Sequence, residues 1–273
     1  MQAIIEMVHH TRLDTCVAAA GLMRQAVVQA LHHASYRVVF GRPLIHQRLM
    51  QNVLADLVLE SEAALLLALR VARAYDEAHQ SRGTEAGDQQ ALLARALVAV
   101  GKYWVNRRTP ALVFEALECL GGNGYVEESL MPRLYREAPL NSIWEGSGNV
   151  ICLDLLRTLQ RQPAVVDLLL AELRPLASSA PGRAWLADVE RLLRAAAAET
   201  AGEHLARYLV ERLAIGLQAS LLREQAPAPL ADAFVEARIG GGGGLAFGTL
   251  PTGIDVPAIL TRGWPPLAEM PGF

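Results

Sequence analysis

Residues 50–75 read MQNVLADLVLESEAALLLALRVARAY, and this stretch is the clearest indication of the fold. Apolar and small side chains recur in it at alternating spacings of four and three: Met50, Leu54, Leu57, Ser61, Ala64, Ala68, Val71 and Tyr75. Because an α-helix has 3.6 residues per turn, these positions form one stripe along a single helix face. A stripe of this length is typical of a helix in an antiparallel bundle.

The segments around this stripe also have helical spacing, and none alternates as a strand would. Glycine and proline at Phe40–Pro43 indicate a turn, and Gly121-Gly122 indicates the end of a helix. Thr109-Pro110 predicts a helix start, with proline in the first turn. The predicted helices are 13–35, the striped helix, 89–105, 109–120 and 149–159. Residues 1–160 therefore predict an all-α, up-down antiparallel helical bundle.

Residues 161–273 predict an additional helical region with a Gly/Pro-rich tail. Long Ala/Leu helices are expected over 183–224 and a short one over 231–238. The run Gly240–Gly244 lacks a following Lys-Ser/Thr pair, so it predicts a flexible connector rather than a phosphate loop. The proline-rich end, 251–273, is predicted to be irregular.

Composition excludes several classes of protein. The net charge is -3, and residues 161–273 hold ten Arg against twelve acidic residues, so nothing favours a polyanion. Three scattered cysteines predict reduced, buried thiols and a cytoplasmic protein, and no apolar run is long enough for a membrane. The adjacent His pairs diverge on a helix, so no metal site is expected. Lys102 is the only lysine, which we interpret as an effect of genome composition.

The stretch from Leu120 to Asn149, LGGNGYVEESLMPRLYREAPLNSIWEGSGN, concentrates the residues that could carry chemistry. Glu145 follows Trp144 and precedes a glycine, and a carboxylate held against an aromatic wall is a candidate general base. The alternative is that Glu145 caps the helix that begins near Ser147. A glycine-rich turn brings backbone amides close to a ligand, but GGxG alone also fits a helix stop.

The order GGNGY, then WEGSGN some twenty residues later, resembles the C-terminal helical domain of the acyl-CoA dehydrogenases. REAPLNSIWEGSGN is most similar to the alkylation-response (AidB-like) branch of that family. The resemblance covers about residues 11–160. It implies α,β-dehydrogenation of an acyl-CoA thioester, with Glu145 as base, FAD as hydride acceptor and Trp144 and Tyr125 as substrate-pocket residues. It also implies that Arg12, in the pair Thr11-Arg12, orients the base.

The resemblance further implies FAD-binding residues, some of them reaching the cofactor of a neighbouring subunit. These are Arg37, Phe40, Gln47, Glu118, Gly121, Gly122, Gly124, Ser147 and Asn149. Glu118 departs from the Gln that the family usually has there, and a carboxylate would repel phosphates unless paired. Arg37 also fits a helix C-terminal cap, and Ser147 and Asn149 also fit a helix N-terminus.

Family members usually carry an N-terminal helical domain and a β-domain before this region, and the sequence predicts neither here. We therefore expect a fragment, a truncated product or one half of a two-chain enzyme, with those domains on another chain and the present chain inactive alone. A homo-oligomer, a dimer or tetramer, is expected. Two alternatives stay open: a non-catalytic oligomerisation module, and a DNA-alkylation-response protein associated with nucleic acid, which the acidic tail does not favour.

Overall fold

The computed structural model describes residues 2–199 and 202–270, with the side chains of residues 2–6 excepted. Three long helices form the bundle: α1 (Gln2–Tyr36), α2 (Arg48–Gln80) and α3 (Glu85–Cys119). Shorter elements follow: α4 (Gly122–Tyr125), α5 (Met131–Glu137), α6 (Gly148–Arg161), α7 (Val165–Glu172), α8 (Ala180–Ala197), α9 (Ala206–Gln225), α10 (Ala228–Phe234) and α11 (Val256–Gly263). The predicted all-α fold is confirmed.

The bundle is antiparallel because short connections reverse the chain at 37–47 and 81–84. The first connection contains a two-stranded hairpin, β1 (Val38–Val39) and β2 (Arg42–Pro43), around the predicted turn. At Gly101 of α3, a Cβ would lie 3.1 Å from Cys16 Sγ of α1 and 3.2 Å from a Val71 methyl of α2. Glycine therefore lets the three helices meet closely, and α1 and α3 run in the same direction.

The predicted stripe of α2 faces the core. Its members Leu54, Leu57, Ser61, Ala64, Ala68 and Val71 are buried, while Met50 and Tyr75 are partly buried. The three cysteines are also buried, as predicted, and burial raises the pKa of each thiol to about 12. No helix among the described residues is both long and apolar enough to cross a membrane.

The predicted break before Thr109 is wrong, because α3 continues from Glu85 to Cys119 with Pro110 inside it. Proline has no N–H, so the carbonyl of Asn106 receives no helical donor from residue 110. The Ser142 hydroxyl donates to that carbonyl instead, at 2.8 Å. A tertiary hydrogen bond thus supplies what the helix lacks.

The glycine run lies outside the helices, and its amides are hydrogen-bonded: Gly242 and Gly243 donate to the carbonyls of Glu236 and Ala237, and Gly244 donates to Thr249 Oγ1 at 2.9 Å. One expectation for the C-terminal region is wrong: the proline-rich end is partly helical, since it contains α11 and a 3-10 turn at Pro265–Glu269. Asp255 starts α11 by accepting a hydrogen bond from the Ala258 amide, a side-chain cap followed by proline.

Candidate active site

The turn that carries Glu145 has a strained backbone. Glu145 has φ 57° and Gly146 has φ 110°, both in the left-handed region. Glycine adopts this region freely, but a residue with a Cβ does so at a cost of about 1–2 kcal/mol. The conformation of Glu145 therefore has to be maintained by contacts from elsewhere in the fold.

Three donors from α1 and α3 supply those contacts. Thr11 Oγ1 donates to the Glu145 carboxylate at 2.8 Å, and Arg12 Nε donates to the Glu145 backbone carbonyl at 3.0 Å. Lys102 Nζ donates to the Gly146 carbonyl at 2.5 Å. The half-buried carboxylate is thus held by a neutral hydroxyl, while two cations hold the main chain on either side of it. The hydrogen bonds of Glu145 and Gly146 run to α1 and α3, which differs from the helix-capping alternative.

Arg12 is itself oriented by a second carboxylate. Its Nη1 donates to Asp154 of α6 at 2.6 Å, and Arg95 of α3 donates to the other oxygen of Asp154 at 2.5 Å. Burial alone would raise the pKa of Asp154, but Arg95 and Arg12 hold it below its ordinary value. Asp154 therefore stays ionised and fixes Arg12 against the site turn.

The segment leading into the turn is anchored at Pro110. The Ser142 hydroxyl donates a hydrogen bond to the Asn106 carbonyl, which has no helical donor because residue 110 is proline. Asn141 Oδ1 accepts a hydrogen bond from Trp144 Nε1 at 3.0 Å. The Trp144 side chain remains 48% exposed. Its indole is therefore fixed by its polar edge, and part of its apolar surface stays exposed.

A cationic cleft of about 550 Å³ lies on the α6 side of Arg12. Four arginines line it together with Asp154: Arg12, Arg95, Arg157 and Arg161. Arg157 and Arg161 are exposed and one helical turn apart on α6, so they present positive charge to solvent on one face. This arrangement suits an anionic group.

Three of the nine residues predicted to bind FAD lie far from Glu145, at or beside the hairpin after α1. Arg37 is exposed, and Phe40 is 99% exposed with φ 52°. Gln47 folds onto the hairpin, where it accepts a hydrogen bond from Arg42 at 2.9 Å and donates to the Val39 carbonyl. The hairpin therefore displays a cation and an aromatic ring, whereas Gln47 supports the turn.

The glycine turn after α3 lies at the same end of the bundle. Gly121 has φ 59°, and a Cβ on Gly121 or Gly122 would meet no atom within 4 Å, so this backbone is uncovered. Gly124 serves packing, because a Cβ there would lie 2.2 Å from the Leu117 carbonyl. Glu118 and Tyr125 are exposed beside the turn.

The predicted site residues thus form two separate groups. Lys102 marks the level of Glu145 on α3, and α3 ends at Cys119, 17 residues later and just before the glycine turn. At 1.5 Å per residue that is a separation of about 25 Å along the helix. Tyr125 therefore does not share a pocket with Trp144 within one chain.

Ser147 and Asn149 lie at the start of α6. Ser147 is the N-cap residue, without a side-chain capping hydrogen bond. Asn149 Oδ1 accepts a hydrogen bond from Arg207 of α9 at 2.8 Å, which links the start of α6 to the C-terminal region. Both positions match the helix N-terminal alternative in location.

Sequence reasoning missed Lys102, Arg95 and Asp154. Arg95 and Asp154 look like ordinary helix-surface charges, and only the tertiary contact to Arg12 reveals them. Lys102 did carry a signal, because it is the only lysine among 25 basic residues and lies within an apolar helix. Genome composition explains why lysine is rare, but it does not explain why one remains at this position.

Comparisons with known proteins agree with this architecture. The family model for the C-terminal domain of acyl-CoA dehydrogenases matches residues 1–160. The putative acyl-CoA dehydrogenase AidB of Escherichia coli is 46% identical over 169 residues, which are 62% of this chain and 30% of that protein. Acyl-CoA dehydrogenase family member 11 of Caenorhabditis elegans is 33% identical over 154 residues, 56% of this chain and 24% of that protein.

Solved structures show the same fold over more of the chain. Caenorhabditis elegans ACDH-11, in complex with C11-CoA, has a TM-score of 0.72 and 22% identity over 96% of this chain and 43% of that one. A Bacillus anthracis acyl-CoA dehydrogenase complexed with FAD has a TM-score of 0.69 and 16% identity, covering 95% and 49%. The present chain spans under a third of the length of the two curated relatives above. Through the C-terminal domain in residues 1–160, it belongs to the acyl-CoA dehydrogenase family.

Proposed function

We propose that this chain supplies the general base and part of the FAD-binding surface of an acyl-CoA dehydrogenase. The observation that carries the proposal is the Glu145 carboxylate, which Thr11 holds on a strained turn that directly follows Trp144 in the sequence. Removal of a proton from the carbon next to a thioester carbonyl needs a carboxylate fixed against that carbon.

Each residue of the site has a distinct task in this proposal. Glu145 takes the α-proton, and the Thr11 hydroxyl fixes the carboxylate oxygen that does not receive it. Arg12, held by Asp154, keeps the backbone of Glu145 in place. Trp144 forms an apolar wall that excludes water from the carboxylate. When bound, FAD supplies the acceptor for the β-hydride.

The exposed groups at the other end of the bundle fit FAD. Arg37 is a cation available to phosphate oxygens, Phe40 is an uncovered ring, and Gly121-Gly122 exposes backbone without side chains. Because this end lies about 25 Å from the level of Glu145, we propose that one FAD is shared between two protomers. One protomer then contributes the base and its partner contributes the hairpin and the glycine turn. This predicts a homo-oligomer.

We further propose that N-terminal and β-domains of the kind found in longer family members complete the flavin and acyl pockets. The relatives support this, since the chain matches only 30% of AidB and 24% of the nematode protein. The cationic cleft supports an acyl-CoA substrate, because Arg157 and Arg161 suit the phosphates of coenzyme A. These phosphates would lie beyond Arg12, away from the reacting carbon.

The test is the visible spectrum of the chain with FAD, measured alone and together with a polypeptide carrying those two domains. Anaerobic addition of an acyl-CoA should bleach the bound flavin. Glu145→Gln should retain flavin but slow the bleaching by about 10²- to 10⁴-fold, the usual contribution of a general base. Glu128→Gln, at an exposed carboxylate beyond the glycine turn, is the matched control and should bleach normally.

Bleaching that is unchanged in Glu145→Gln would rule out Glu145 as the base. Failure to retain flavin in both mixtures would favour the alternative of a non-catalytic oligomerisation module. Gly121→Val covers the exposed backbone and should weaken flavin retention without slowing the bleaching of whatever flavin remains bound. That result would assign flavin binding to the end with the glycine turn and proton abstraction to the end with Glu145.

A further inference from the structure

Lys102 is the most unusual charged residue of the molecule. It is the only lysine of the chain, lies in the middle of α3 and is 1% exposed. Its ammonium donates to the backbone carbonyl of Gly146, and among the described residues no carboxylate lies within hydrogen-bond distance of it. A lysine buried to this degree, with a main-chain partner next to Glu145, calls for a physical reason.

The position is costly for a cation. Burial, and to a lesser extent the nearby positive charge of Arg12, lower the pKa of Lys102 to about 8, although the negative charge of Glu145 acts to raise it. A methionine of similar volume would fill the same space without desolvating a charge. The desolvation cost of the ammonium must therefore be offset by its hydrogen bond to the turn and by its electrostatic interaction with the Glu145 carboxylate.

We propose that Lys102 is a positioning residue for Glu145, holding the Gly146 carbonyl so that the left-handed turn keeps the carboxylate aimed, with the two charges coupled. The proposal rests on the proposed function for the task it gives Glu145. Two groups act electrostatically on Lys102 from the surrounding elements, Arg12 of α1 and Glu145 of the turn. Asp154 of α6 pairs with Arg12, so Glu145 is the carboxylate whose charge is available to Lys102.

The charge coupling can be measured directly, because one lysine gives one signal. Lysine labelled with ¹³C at Cε should yield a single resonance from the folded chain, titrating near pH 8. In Glu145→Gln the loss of the opposite charge should move the midpoint to lower pH. Glu128→Gln, at an exposed carboxylate, should leave it in place. A midpoint near 10.5, or one that Glu145→Gln does not move, overturns the proposal.

The positioning role has a separate readout in amide hydrogen exchange. Lys102→Met removes the donor and the charge but keeps most of the volume. Exchange should accelerate by about tenfold or more over residues 143–148, since hydrogen bonds to charged groups are that strong, while α2 stays protected. Equal protection of the turn in both proteins overturns the proposal. If the variant does not fold, the lysine titration in wild type and Glu145→Gln still decides it.

The outcomes distinguish this proposal from the proposed function. Suppose that Lys102 titrates near pH 8 and shifts in Glu145→Gln, but that flavin bleaching is not slowed in that variant. The coupling between Lys102 and Glu145 would then be retained, and Glu145 would be rejected as the base. A slowed reaction with an unresponsive lysine would retain the base and reject Lys102. Both experiments use Glu145→Gln, but the lysine titration tests the role of Lys102 and the flavin bleaching tests Glu145 as the base.

Discussion

The bundle and the C-terminal region differ in how strongly their sequences resemble those of known proteins. Residues 1–160 match the family model, and the AidB match covers 62% of the chain. The structural match to ACDH-11, at 22% identity, covers 96%. The shared fold therefore extends through α7–α11, although the family model ends with the bundle. The candidate site residues lie in residues 1–160, whereas the C-terminal region shares the fold at low sequence identity.

The two regions are joined by a polar row on α2. Asn52, Asp56 and Glu60 follow one another at intervals of four and share a face. Asn52 exchanges two hydrogen bonds with the Leu250 backbone, and Gly248 donates to Asp56 at 3.0 Å. Without the C-terminal region this face of the bundle would present polar groups that lack partners.

Charge completes the junction. Arg238 pairs with both Asp56 and Glu60, and Arg108 of α3 pairs with Glu60 at 2.9 Å. Burial raises the pKa of Asp56 above its ordinary value. Burial also opposes ionisation of Glu60, but Arg108 and Arg238 outweigh it and hold its pKa low. The junction thus depends on cations from both regions, and the comparison predicts that the regions unfold together.

The largest effect should come from Arg238→Met. It removes the cation that the C-terminal region contributes and leaves the fully buried Asp56 carboxylate without its partner. The expected loss is about 3–5 kcal/mol in the free energy of unfolding, measured by urea denaturation. Fluorescence and circular dichroism should show one coincident transition in the wild type.

Arg262→Met is the matched control for that prediction. Arg262 also joins the C-terminal region to α2, at 2.7 Å from Glu62, but its side chain is 51% exposed. Its loss should cost under about 1 kcal/mol, as for other surface ion pairs. Equal costs for the two variants would mean that the buried junction does not join the regions.

The stability of wild type relative to an Asp→Asn variant should change with pH in opposite directions for the bundle and for the junction. Asp154, in the bundle, has a lowered pKa, so its contribution to stability is present above the ordinary value of 3.8 and is lost as pH falls further. The advantage of wild type over Asp154→Asn should therefore shrink below pH 3.8.

Asp56, at the junction, should behave in the opposite way. Its pKa is raised above 3.8, so the folded protein takes up a proton before the unfolded chain does. Wild type should gain stability relative to Asp56→Asn as pH falls from neutral toward 3.8. Urea midpoints for the three proteins across this range check both signs, and parallel curves for the two variants would contradict the comparison.

The sequence predicted what depends on local periodicity. The stripe of α2 follows from spacing, and it is present. The break at Thr109-Pro110 was predicted because proline usually begins a helix, and the bond that lets α3 continue comes from Ser142, far along the chain. No local pattern contains that bond.

The same limit applies to the site. Glu145 could be singled out because its neighbours in sequence already suggest a site turn. Asp154 could not, since an aspartate in a helix is normally solvated and only tertiary packing brings it to Arg12. Lys102 stood out as the only lysine, but no local pattern placed it against the Glu145-Gly146 turn. Beyond the glycine run, the Gly248 amide donates to Asp56, 192 residues away, and a bond of that separation has no local signal in the sequence.

The smallest predicted effect concerns how the bundle holds the site segment. Ser142→Ala removes the hydroxyl that donates to the Asn106 carbonyl, and should cost about 1 kcal/mol in the free energy of unfolding. In a Pro110→Ala background residue 110 has an N–H that can donate to the same carbonyl, as in any helix interior. The cost of Ser142→Ala should then fall, giving a coupling of about 0.5–1 kcal/mol in a double-mutant cycle measured by urea denaturation. Additive costs would mean that the bond between α3 and the site segment is incidental to Pro110. A positive coupling would mean that Pro110, because it has no N–H, leaves the Asn106 carbonyl free to accept a hydrogen bond from the segment that positions Trp144 and Glu145.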